Sequence, residues 1–71
     1  MTLAEFAQSA GVRITRCEPE WGGTWAYRMA DAPYVAYCGY RSEQACYKAW
    51  LENTFGKSTA KAIMDLLRRA Q

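Results

Sequence analysis

The stretch TWAYRMADAPYVAYCGYRS, Thr24 to Ser42, decides the fold. From Thr24 to Ala30 the chain alternates, with Trp25, Tyr27 and Met29 on one side and Ala26 and Arg28 on the other. A side that large and apolar suits the core face of a strand. Asp31-Ala32-Pro33 reads as a short turn and Tyr34 to Tyr40 as another strand. So short a link joins antiparallel neighbours, because a parallel crossover needs a dozen residues or more. Ser42 then offers a side-chain oxygen to the free amides of a helix start, and the acid at Glu43 suits the positive end of the helix dipole.

Working outward, Val12 and Ile14 alternate with Arg13 and Thr15, which predicts a strand over 12–18. Between the first two strands lies EPEWGGT: Pro19 lacks a ladder donor and Gly22-Gly23 permits positive φ, so a hairpin loop is expected there, carrying Trp21. Ahead of it, Thr2-Leu3-Ala4-Glu5 is a capping box, and Leu3, Phe6, Ala7 and Ala10 follow on one helical stripe that Gly11 ends. Beyond Ser42, a helix over 43–54 buries Ala45, Cys46, Ala49, Trp50 and Leu51 and stops at Gly56. A last helix, capped by Ser58 or Thr59, carries Ala60, Ile63, Met64 and Leu67, with Leu66 broadening the stripe. The order α-β-β-β-α-α predicts an α+β fold: a single compact domain over 1–71, a three-stranded antiparallel sheet with helices packed on one face.

With 71 residues, every element must share one core. Three Trp, five Tyr and two Phe supply it, since each buried aromatic removes roughly 150–250 Å² from water. Three cysteines form no even disulfide framework, no leader pattern opens the chain, and no apolar run approaches the ~18 residues of a membrane span. These features lead us to expect a soluble cytoplasmic protein. A net charge of +2 is far from the strongly basic balance of a protein built on phosphate contacts.

The absence of histidine removes the commonest general base and metal ligand. Cys46 lies near a helix start, where a thiol can be activated, but on the stripe expected to be buried; all three cysteines read as small core residues. Cys17 and Cys38 could lie close across the sheet, although neither needs a disulfide to explain it. Their spacings fit no closed zinc site. Glu18, Glu20 and Asp31 sit in or beside turns, where solvation accounts for them. Gly56-Lys57-Ser58-Thr59 looks like the end of a phosphate-binding loop, yet the earlier glycine would fall at Leu51 and the segment joins two helices. No catalytic residue, metal ligand or cofactor is assigned, and the expectation is a protein that is not an enzyme.

A binding surface is easier to find. The third strand divides into Val35, Tyr37 and Gly39 on one side and Tyr34, Ala36, Cys38 and Tyr40 on the other, so whichever side faces the core, the other presents tyrosine. Trp21, Arg28, Tyr34 and Tyr40 are the candidate partner-binding residues, of the types that dominate contact hot spots. The alternative is that helices wrap both faces and bury the tyrosines. Arg41, Lys57 and Lys61 are the candidate nucleic-acid contacts.

Two resemblances add to this reading. The α-β-β-β-α order, with Gly56, Lys57, Ser58, Ala60 and Lys61 opening the last helix, loosely resembles the double-stranded-RNA-binding domain, which implies phosphate contacts at that helix start. The run YVAYCGYRSEQACYKAWL in a chain of this size resembles the small accessory proteins encoded by bacteriophages and prophages, anti-CRISPR proteins among them. That resemblance implies a non-enzymatic inhibitor acting in a bacterial host cytoplasm by occluding a surface of a larger host protein complex. A homodimer formed through the sheet is a further expectation. A protein-binding inhibitor or regulator is thus the leading expectation, with a small nucleic-acid-binding module as the alternative.

Overall fold

In the computed structural model, which describes residues 1–17 and 24–70, the chain opens with the helix α1 over Leu3–Ser9. Its capping box is formed: the Glu5 amide donates to Thr2 Oγ1 at 3.1 Å, and the Thr2 amide donates to Glu5 Oε1 at 2.9 Å. That reciprocal pair satisfies two of the amides a helix start leaves without partners. Gly11, at φ 98°, turns the chain into β1 (Val12–Arg16). The strands β2 (Trp25–Met29) and β3 (Ala32–Tyr40) follow, then α2 (Glu43–Phe55) and α3 (Lys57–Arg69). The expected hairpin loop, with Pro19, Trp21 and Gly22-Gly23, lies outside the described residues.

The sheet has the order β1-β2-β3 and is antiparallel throughout. β1 and β2 pair regularly, Val12 opposite Met29 through Arg16 opposite Trp25. Pairing of β2 with β3 is irregular: Trp25 faces Tyr40, Tyr27 faces Tyr37 and Met29 faces Ala32. Three steps along β3 therefore span two along β2, and then five span two. The second irregularity lets β3 begin earlier than the sequence suggests. Ala32 and Pro33 belong to the strand and not to the turn; a proline without an amide is tolerated because β3 is an edge.

The core forms between the sheet and α2, with α1 closing one end. Val12 and Leu51 are completely buried, with Leu3, Ala7, Tyr27, Cys46, Tyr47, Trp50 and Ala60 around them. Side chains of that size each contribute about 1.5–3 kcal/mol on burial. Tyr47 falls outside the stripe expected for α2. It is buried because its hydroxyl reaches the rim and accepts from Gln8 Nε2 at 3.0 Å, joining α2 to α1. Ser42 caps α2 as expected, accepting from the Ala45 amide at 3.1 Å.

Gly56 is both the last cap of α2 and the first cap of α3. Ser58 and Thr59 are therefore inside the first turn of α3 and cap nothing, which corrects the expected helix start. α3 rests on α2 through Ala60, Ile63, Met64 and Leu67. Leu66 is 63% exposed: it lies beyond the width that α2 can cover and does not broaden the packed stripe.

Candidate protein-binding surface

β3 is the outer strand on one side of the sheet, and seven consecutive residues, Pro33 to Gly39, are exposed. None of them is charged. Tyr34 is the most open at 83%, and Val35 and Tyr37 are also exposed. The exposure follows from where the helices sit. α2 lies over β2 and reaches only the end of β3, where Tyr40 packs against the core.

On the helix side of β3 the aromatic rings form a continuous wall. Tyr37 stacks on Tyr27 at 4.7 Å between centroids, and Tyr40 lies 5.9 Å from the same ring. Tyr37 and Tyr40 belong to opposite phases of an ideal strand. They meet one partner because the strand is bulged between them, at Gly39 with φ 98°. Across a shallow groove, Phe55 meets Trp50 edge-on at 6.0 Å. Tyr27, Met29, Tyr37, Trp50 and Phe55 line this groove together with Ala10, Asn53 and Thr54. Asn53 Nδ2 donates to the Tyr27 hydroxyl at 3.1 Å, so the one polar atom that Tyr27 brings to the wall is paired. Burial raises the Tyr27 pKa above that of an ordinary tyrosine, so its hydroxyl stays neutral at physiological pH.

The four partner-binding candidates do not converge. Tyr34 is fully available, whereas Tyr40 is half-buried against Tyr27 and serves the core. Arg28 is on the opposite, helix-free side, where its Nη1 donates to the Pro33 carbonyl at 2.6 Å and it borders a groove with Cys17, Ala26, Ala36 and Cys38. Trp21 lies outside the described residues. Phe55 is the contributor that sequence reasoning missed; an aromatic placed immediately before a helix-stopping glycine was the available signal. Cys38 is exposed, which corrects its assignment to the core, while Cys17 and Cys46 are buried. Burial pushes the Cys46 thiol up to about 11, opposite to activation by a helix start.

The cationic candidates separate as well. Lys57 and Lys61 border one groove with Lys48 and Arg68, but Glu52 and Asp65 stand among them, and Asp65 pairs with Arg68 at 3.7 Å. Arg41 precedes α2 and Lys57 follows it, so the helix holds them roughly 20 Å apart by its rise. Among the described residues no cluster of three or more His, Cys, Asp or Glu could hold a metal ion. No described helix is long and apolar enough to cross a membrane. No family model, curated protein or solved structure matches the chain.

Proposed function

We propose that this protein is a non-enzymatic inhibitor or regulator that binds a larger protein through the outer edge of β3 and the aromatic groove beside it. The observation that carries this reading is the uncharged, exposed run Pro33 to Gly39 on a strand with no neighbour on its outer side among the described residues. An unpaired edge presents amides and carbonyls that an extended partner segment can complete. Groove aromatics then receive its alternate side chains and provide the anchoring contacts. The mechanism is steric: a stable contact burying about 1,200–2,000 Å² in total covers a working surface of the partner.

Affinity capture from a bacterial lysate with the wild-type chain and with Val35→Lys tests the reading. The lysine places a charge on the edge without entering the core, so the variant should melt within about 2 °C of wild type. A stoichiometric protein retained by wild type and lost with the variant is the expected result. Capture of nucleic acid released by salt, in place of a protein, would overturn it in favour of the phosphate-binding alternative.

A further inference from the structure

We propose that the aromatic groove beside β3 takes an extended, uncharged peptide segment of the partner, with one large apolar side chain seated among Met29, Tyr37 and Phe55 and one backbone amide held by Asn53. This rests on the reading of β3 as the binding edge and states which chemistry that surface selects. Tyr37 joins the two, since it stands in β3 and also lines the groove. Unlike the grooves bordered by Arg28 or by Lys57 and Lys61, this one is lined by no charged residue. Its volume of about 450 Å³ lies toward the small end of ligand clefts, room for a side chain and the backbone that carries it.

Ring orientation decides between an apolar and a cationic side chain. A cation needs an open ring face. Tyr27 and Trp50 are buried, and Tyr37 gives one face to Tyr27 in a stack only 16° from parallel. A charged group entering here would lose water and meet no opposite charge. An apolar group needs only contact, which the open ring of Phe55 and the adaptable thioether of Met29 supply. Asn53 then reads the backbone. Its Nδ2 donates to the Tyr27 hydroxyl at 3.1 Å, which orients the amide and leaves Oδ1 and the second N–H without a partner among the described residues. One acceptor beside one donor is the complement of a peptide group, which brings one N–H and one carbonyl. Asn53 is exposed, so an extended segment reaches it without opening the fold.

The test pans a displayed library of random, unconstrained peptides on the immobilised full chain and titrates synthetic copies of the enriched sequences. Those sequences should share a Leu, Met or Phe flanked by uncharged residues, and the side-chain amide resonances of Asn53 should move on saturation. Phe55→Ala and Asn53→Asp should each weaken peptide binding about tenfold or more. Asn53→Asp is exposed and can still accept from the Tyr27 hydroxyl, so the test stands even where Phe55→Ala loosens the fold. No enriched sequence, enrichment of charged peptides, or binding that survives both groove substitutions overturns the inference. The reading of the edge is judged separately: peptide binding lost with Val35→Lys but unaffected by the groove substitutions leaves that reading standing, and capture of a protein partner unaffected by Val35→Lys removes it. Self-association of the chain that Phe55→Ala abolishes assigns the groove to a second copy and overturns the peptide as its occupant.

Discussion

The two outer strands of this sheet meet the edge problem in opposite ways. β1 carries Val12 and Ile14 into the core and sets arginines along its length. Arg13 Nη1 donates to the carbonyls of Gln8 and Val12, at 3.2 and 3.0 Å, and the Arg16 guanidinium lies 4.8 Å over the Trp25 ring. β3 has no charge between Ala32 and Tyr40 and is exposed along most of its length. Charged side chains are a common protection against unwanted strand pairing, and one edge has them while the other does not. The difference teaches that β1 is tied into the fold by its side chains, whereas β3 keeps the exposed, uncharged edge on which the proposed contact rests.

Substitution of matched valines tests that division most severely. Val12→Asp buries a carboxylate without a partner and should cost about 4 kcal/mol or more, enough to unfold a domain of this size. Val35→Asp, on β3, should change stability by less than about 0.5 kcal/mol. Chemical denaturation of both variants measures the contrast, and equal losses would erase the distinction between the edges.

The tyrosines of β3 sharpen the comparison within one strand. Tyr40→Ala should cost about 2 kcal/mol, because its ring fills space against Tyr27, whereas Tyr34→Ala should fall under about 0.5 kcal/mol. A partner-binding assay should rank them in reverse, with Tyr34→Ala the more damaging to affinity. If Tyr40→Ala proves as mild as Tyr34→Ala, the covered end of β3 is not part of the core.

A smaller effect extends the same contrast to thiols of the covered and open layers. The Cys46 thiol is raised from an ordinary 9.0 to about 11 by burial, so the folded state holds its proton more tightly than the unfolded chain. Its contribution is fully present below pH 9 and disappears as pH rises through 11. Tyr27, also raised by burial, acts in the same direction. Stability should therefore fall over that alkaline range, and Cys46→Ala should flatten part of the fall. Cys38→Ser should leave the Cys46-dependent part unchanged.

Much of this architecture was legible from local chemistry. Thr2 with Glu5, Ser42 and Gly56 each mark a helix boundary through one or two hydrogen bonds or one backbone angle, and such signals do not depend on what packs against them. The candidate site was harder to read because both phases of β3 are apolar, so alternation could not say which side faces the core. The bulge at Gly39 then changes the phase within the strand, bringing Tyr37 and Tyr40 to the same ring. Leu66 and Tyr47 misled for a different reason: their burial is set by the reach of neighbouring helices, a tertiary property that periodicity does not carry.

The shared cap at Gly56 sets a mechanical condition on the last helix. Its torsions, φ 85° and ψ 160°, lie in a region open essentially only to glycine, and they alone aim α3. A helix of 13 residues is a lever about 20 Å long, so a rotation of about 10° at its base would carry the far end roughly 3 Å. That distance exceeds what interlocked side chains tolerate. The contacts of Ala60, Ile63, Met64 and Leu67 with the core thus act as the clamp on a joint that one residue has made very short.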